Sequence, residues 1–241
     1  ERKMKLLIDP KGKKYLMTKG ETEMHTQHGV VKIAKKDGVN KSHMGTEYLQ
    51  TEANFIDMLL NCKRGPQVVL PKDAAAIVVH TSLPVGACVV DAGSGSGWLA
   101  AFLAHYVGPT GKVTTYEKRK DFAKIAKENF KFLELEKVKL KNVDVTKGIK
   151  EKKLDLITLD LLTPTKVPNI SKSLKAGGYV VVYVPHLEQA ETFVAFAKKQ
   201  GLYFERAIEV IEREWDLKWD SLKERMGAIG HTAYLVFCRK V

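Results

Sequence analysis

The stretch Asp91-Ala92-Gly93-Ser94-Gly95-Ser96-Gly97 follows the β-branched run ACVV and precedes GWLAAFLAHYV, whose apolar residues have helical spacing. Glycines two apart let the backbone turn tightly and bring a ligand close to a helix N-terminus. Three further strand-like runs end in an acid: Glu117 after KVTTY, Asp144 after KVKLKNV and Asp160 after LDLITL. One acid at a strand end is commonly a loop cap. Four of them, beside a glycine turn, describe a ligand site, because open α/β sheets bind ligands outside the carboxyl ends of their strands.

Two cofactor classes suit a glycine turn followed by an acid. A dinucleotide site needs GxGxxG, but the spacing here is GxGxG, and Trp98 stands where the third glycine would fall. An indole there obstructs the close helix–strand packing that glycine allows. S-adenosyl-L-methionine has a cationic sulfonium and ammonium and no pyrophosphate, so an acid-flanked glycine turn fits it. Glu117 is then expected at the ribose hydroxyls, Asp144 at the adenine amino group, and Asp160 where the methyl group leaves.

The elements that position these residues begin near Asp73. PKDAAAIVVHTSL opens with Pro71 and Asp73 at helix-start positions. KDFAKIAKENFKFL reads as an amphipathic helix with Phe122, Ile125, Ala126, Phe130 and Leu133 on one face. LDLITLD and GGYVVVYVP read as strands, ETFVAFAKKQG as a helix, and the tail as a closing antiparallel pair. This alternation predicts right-handed βαβ crossovers and a parallel, doubly wound sheet. Residues 1–62 have a different character. Lys5–Ile8 and Tyr15–Thr18 flank Asp9-Pro10-Lys11-Gly12 as a hairpin, Gly29–Lys35 reads as a strand, and Glu52–Asn61 as a short strand or a helical turn. The expected organisation is a small β-rich domain, 1–62, followed by a catalytic domain, 63–241.

The chain has 241 residues and a net charge of +12. That charge fits a polyanion partner equally with a lysine-rich solvated surface. No apolar run reaches the ~20 residues of a membrane span. Cys62, Cys88 and Cys238 show no metal-binding spacing, so the expectation is reduced thiols, no metal, no membrane and a cytoplasmic location.

With these residues in place, the chain resembles the TrmI-type tRNA (adenine-N1)-methyltransferases, most of all their archaeal form. The resemblance rests on KRGPQVVLPKDAAAIV, on DAGSGSGWLAAFLAHYVGPTGKVTTYEKRKDFAKIAKENF, on LDLLTPTKV and on ERMGAIGHTAYLVFCRK. It implies a Rossmann-like class I fold with a mostly parallel seven-stranded sheet. It also implies a homotetramer that methylates N1 of a T-loop adenine of tRNA, position 58 and in archaea also 57. By position, Gln67, Gly93, Ser94, Gly95, Ser96, Gly97, Trp98, Glu117, Lys118, Asp144, Val145 and Asp160 would hold the cofactor, and Asp160 would be the catalytic acid. Leu70 stands where the family often carries an aromatic residue or His near the target base, and Leu162 where it usually has Pro. His43, His80 and His231 are candidates for RNA contact or for packing, Arg225 for RNA or interface contact, and Trp215 and Trp219 for core or interface. Lysines and arginines of the N-terminal module and of residues 118–153 are candidate phosphate contacts. The alternatives are a methyltransferase of protein or small molecules, and a non-catalytic RNA-binding subunit.

Overall fold

A computed structural model describes residues 3–65, 67–218, 221–224 and 230–241. The chain divides into two compact units, Glu1–Cys62 and Lys63–Val241.

The first unit holds β1 (Lys5–Ile8), β2 (Lys14–Met17), β3 (Glu23–Thr26), β4 (Gly29–Lys32), β5 (Gly38–Lys41), β6 (Glu47–Glu52) and helix α1 (Phe55–Leu60). Its main sheet is antiparallel in the order β2-β1-β6-β5, and β3 pairs with β4. The β1–β2 hairpin turns where Asp9 accepts hydrogen bonds from the Lys11 and Lys13 amides, both at 2.9 Å. Leu7, Met17, Val31 and Tyr48 form the core of this unit. The ambiguous segment around Phe55 is a helix because Asn54 and Asp57 make a reciprocal capping box.

The second unit contains α2 (Pro71–His80), β7 (Cys88–Ala92), α3 (Trp98–Val107), β8 (Lys112–Tyr116), α4 (Lys120–Phe132), β9 (Lys139–Lys141), β10 (Leu154–Leu159) and α5 (Ile170–Ser173). It continues through β11 (Leu174–Val184), α6 (Leu187–Lys199), β12 (Leu202–Glu209), β13 (Trp215–Lys218), β14 (Ser221–Glu224) and β15 (Tyr234–Lys240). Its seven-stranded sheet runs β12-β15-β11-β10-β7-β8-β9. The pairs from β11 to β9 are parallel, while β15 lies antiparallel between β11 and β12. The central strands β7, β10 and the second half of β11 are mostly apolar because helices cover them, while the edge strand β9 reads KLK. Val90, Ile157, Val180, Val182, Phe193 and Val236 are completely or nearly completely buried in the main core.

The strand expected over KVKLKNVD is shorter, Lys139–Lys141, because it lies at the sheet edge and pairs only with β8. The β13–β14 hairpin was not anticipated. Trp215 on it is exposed, so it is not a core residue; Trp219 lies outside the described residues. No helix among the described residues is long and apolar enough to cross a membrane.

One side chain ties this framework to the glycine turn. Asn129 of α4 is buried, and its Nδ2 donates to the carbonyls of Ser96 and Lys63, both at 2.8 Å. Its Oδ1 accepts from the Lys63 amide at 3.0 Å. Replacing it by an apolar residue strands buried backbone groups, each worth about 1–3 kcal/mol. Asn129→Leu should therefore lower the melting temperature by several degrees. Calorimetry that finds no loss would show that the clamp is dispensable.

Candidate active site

The carboxyl ends of β7, β8 and β10 meet at one point. The backbone amide of Asp160 donates to the carbonyl of Ala92 at 2.8 Å, and the amides of Gly93 and Ser94 donate to the Tyr116 carbonyl at 3.1 and 3.0 Å. Gly93 has φ +85°, and a Cβ there would lie 1.9 Å from the Asp160 carbonyl oxygen. No other residue type permits this approach. Gly97, φ +84°, opens α3 in the same way against Phe130 of α4.

Three carboxylates converge here. Asp91 is fully buried and accepts from Thr115 Oγ1 at 2.7 Å and Thr158 Oγ1 at 2.8 Å. Burial is the main force raising its pKa to about 6; the two threonines oppose the rise and the Glu117 carboxylate adds to it. Glu117 accepts from the amides of Gly95 and Arg119, each at 2.8 Å, so it holds the turn in shape. Asp160 is pushed up to about 7, chiefly by burial and then by the charges of Asp91 and Glu117.

The outer wall comes from β9. The Asn142 side chain donates to the Glu117 carbonyl at 2.7 Å, and the Glu117 amide to the Lys141 carbonyl at 3.0 Å. Asp144 follows, accepting from the amide and hydroxyl of Thr146. Those two bonds, with smaller help from Lys118 and Lys147, hold its carboxyl below the ordinary value. Val145 beside it is buried. On the opposite side Gln67, Val68 and Val69 lie over Gly93–Ser96 and Asp160, enclosing a gap of about 20 Å³. A gap of that size holds a water. Trp98 anchors the segment: its indole is buried, with Nε1 3.4 Å from the Lys63 carbonyl and the Arg64 guanidinium 4.7 Å from the ring centre.

The structure thus brings Gln67, Gly93, Ser94, Gly95, Ser96, Trp98 and Asp160 to one pocket, with Glu117 bonded to Gly95 and Gly97 opening α3; Lys118 follows β8, and Asp144 and Val145 follow β9, at the same carboxyl end of the sheet. Leu70 caps the start of α2, next to that segment. His80 ends the same ten-residue helix, about 15 Å away along its axis. It sits against Phe237 and Arg206, because helix polarity carries it away from the strand tips. His231 uses both ring nitrogens internally, toward Glu209 at 2.6 Å and the Pro185 carbonyl at 3.0 Å, and these acceptors raise its pKa. His43 in the first unit accepts from the Val30 amide at 2.9 Å. Arg225 lies outside the described residues.

Sequence reasoning missed the supports of the acids. Thr115 and Thr158 flank Asp91 in the parallel register, and each lies two residues before its strand's own acid. The patterns Thr-x-Glu and Thr-x-Asp carried that signal. Also missed was a buried cluster in which Lys72 Nζ contacts Asp73 and Thr232 at 2.8 Å and the Val210 carbonyl at 2.6 Å. Beside it Tyr183 is raised to about 12, by burial first and also by Asp73 and Asp160.

S-adenosylmethionine meets three observations here. Ser94 and Ser96 bear buried hydroxyls with no protein partner. The glycine turn brings bare backbone to the surface of the site. The three clustered carboxylates favour a cation. Among the described residues no group of three or more His, Cys, Asp and Glu is arranged to hold a metal ion.

Because folding raises the Asp160 pKa from 3.8 to about 7, the native state holds its proton more tightly than the unfolded chain. Asp160 therefore costs stability progressively as pH rises through that window. Asp160→Asn should melt on the order of 5 °C higher than the parent at pH 8, and equally at pH 3.5. A variant that melts lower at pH 8 would contradict the electrostatic account.

Residues 57–231 match the family described as tRNA methyltransferase complex GCD14 subunit. The tRNA (adenine(57)-N(1)/adenine(58)-N(1))-methyltransferase TrmI of Methanocaldococcus jannaschii is 34% identical over 265 aligned residues, covering 98% of this chain and 94% of its own. The crystal structure of tRNA (m1A58) methyltransferase TrmI from Aquifex aeolicus superposes with a TM-score of 0.82 at 26% identity, covering 100% of this chain and 98% of that one. A SAM-dependent O-methyltransferase of Thermotoga maritima superposes with a TM-score of 0.87 at 29% identity, covering 99% and 93%. With its sheet order, its glycine turn and a relative aligned nearly end to end, the chain belongs to the TrmI-type family of tRNA (adenine-N1)-methyltransferases, within the group described as GCD14 subunits.

Proposed function

We propose that this enzyme transfers the methyl group of S-adenosylmethionine to N1 of a T-loop adenine of tRNA, position 58, with 57 as a second target. The observation that carries the reading is Asp160, a carboxylate fixed by backbone contact to the glycine turn and crowded by Asp91 and Glu117. S-adenosylmethionine, when bound, supplies a methyl group activated by its sulfonium. Gly93, Ser94, Gly95, Ser96 and Gly97 would hold it; Glu117 would serve the ribose hydroxyls and Asp144 and Val145 the adenine, with Gln67, Trp98 and Lys118 at the margins.

Adenine N1 is a neutral lone pair, so Asp160 is not required to remove a proton from it. Asp160 instead accepts from the exocyclic amino group, orients the ring, and stabilises the positive charge that grows on it. Only the ionised carboxylate does this. Burial and the neighbouring acids push Asp160 up to about 7, so activity should rise as pH increases through neutrality. Extracting a base from the tRNA elbow costs a few kcal/mol; phosphate contacts and the apolar Leu70 side chain help offset this.

The reading includes a homotetramer in the cytoplasm, where tRNA is found. Tyr203 and Phe204 on the edge strand β12, and Trp215 and Leu217 on the β13–β14 hairpin, are exposed, which supports self-association. Light scattering should find a mass of four chains; a monomer at micromolar concentration would remove that part.

A second reading is favoured by one observation. A carboxyl near pKa 7 is suited to general-base work, and methylation of a hydroxyl oxygen releases a proton that a base must take. The decisive experiment offers labelled S-adenosylmethionine with an unmodified tRNA transcript, or with protein and small-molecule acceptors. N1-methyladenosine from a T-loop fragment is expected, with a loss on the order of 10²–10³ in kcat for Asp160→Ala. Methyl ether products with no labelled RNA would replace the leading reading.

A further inference from the structure

Between Lys118 and Lys153 the chain carries thirteen Lys and Arg against six Asp and Glu, a surplus of seven in a protein of net charge +12. About one residue in seven thus holds more than half the net charge. The fold brings this segment to one place, because β9 is the outermost strand of the sheet and α4 packs beside it.

On α4 the charge is ordered. Lys120, Lys124, Lys127 and Lys131 are all exposed, with spacings of four, three and four residues. At 100° per residue they fall within an arc of about 60°, and at 1.5 Å per residue they form a stripe about 16 Å long. Like charges three and four apart destabilise a helix, and only Lys124 has a compensating acid nearby, Glu128, whose carboxyl it helps to hold down without a direct ion pair. The helix acids sit to one side and make their direct ion pairs off the stripe: Asp121 with Arg119 at 2.6 Å, and Glu128 with Lys63 at 2.7 Å. None of the four lysines makes a hydrogen bond or ion pair with an acid within 4 Å among the described residues. The opposite face holds Ala123, Ala126, Asn129 and Phe130 in the core, so the helix is fixed with its lysines outward. The stripe starts beside Glu117 at the catalytic rim and runs away from it down the flank of the sheet.

The geometry points to this stripe as the track for a ribose-phosphate strand of the tRNA, holding RNA that lies beyond the target nucleotide. The ammonium groups emerge 4.5–6 Å apart along the axis, on the scale of successive phosphates of one strand, and lysine serves phosphates as a point charge. Such contacts carry no base specificity and set register and orientation. This rests on the tRNA reading above.

The test uses the full-length enzyme with Lys124, Lys127 and Lys131 all changed to Gln, and a control with Lys172, Lys198 and Lys199 changed to Gln. The control removes the same charge from exposed positions elsewhere. The stripe variant should bind tRNA at least tenfold more weakly at 0.1 M salt. Its dependence of log affinity on log salt should flatten by about 2–3. Its kcat at saturating tRNA and its affinity for S-adenosylmethionine should not change, and its melting temperature should hold or rise, because repulsion has been removed. The control should match the parent. Unchanged tRNA affinity in the stripe variant, or an equal loss in the control, overturns the track while leaving the parent's methylation of tRNA intact. A parent that neither binds nor methylates tRNA overturns both readings.

Discussion

Carboxylates repel one another, and this site brings three of them together at the tips of adjacent parallel strands. The contact that forces them together is covalently simple. Residue 93 has no side chain, so the carbonyl of Asp160 rests where a Cβ would be. The two strand ends cannot separate without breaking the hydrogen bond from the Asp160 amide to Ala92. Burial first, and the neighbouring charges after it, raise Asp91 and Asp160, and the cluster favours a cation at these strand ends. Much of the remaining architecture serves to hold this arrangement. Thr115 and Thr158 satisfy Asp91, Asn129 clamps Ser96, and the amides of Gly95 and Arg119 occupy both oxygens of Glu117.

The parallel core was legible because its period is simple. Short strand-like runs that each end in an acid, four of them beside a glycine turn, read as parallel strands whose tips face a ligand, and the glycine turn named the tip that matters. The same residues pointed to the cofactor, and the family resemblance then supplied the strand count. What could not be read were contacts between residues remote in sequence. Asn129 reads as a polar interruption of an amphipathic helix until Ser96 and Lys63 are placed beside it. Lys72 and Asp73 read as the solvated first turn of a helix, but Thr232 and the Val210 carbonyl bury them. Period reasoning also fails for His80 and His231, because a histidine's neighbours, and not its spacing, decide its partners.

The two ends of α2 illustrate the division of labour within one element. Its first turn borders the segment over the glycine turn and anchors the buried Lys72–Asp73–Thr232 cluster next to Tyr183. Its last turn packs His80 on Phe237 of β15. The helix thereby links the catalytic rim to the antiparallel side of the sheet, where the exposed apolar residues of β12 lie.

The position of β15 has a consequence for biosynthesis. In sequence it follows β12 by 24 residues, yet in the sheet it lies between β11 and β12. While a ribosome is still making the segment 210–233, β11 has an open edge of apolar strand and β12 has no partner. Both can mispair during that interval. The nascent chain must leave a strand-wide slot and fill it last. The catalytic rim, built from β7, β8 and β10, can assemble before that slot closes. Maturation of the acid cluster and closure of the sheet are therefore separate events in time, and premature termination between them would release a chain with an assembled rim and an unfinished sheet.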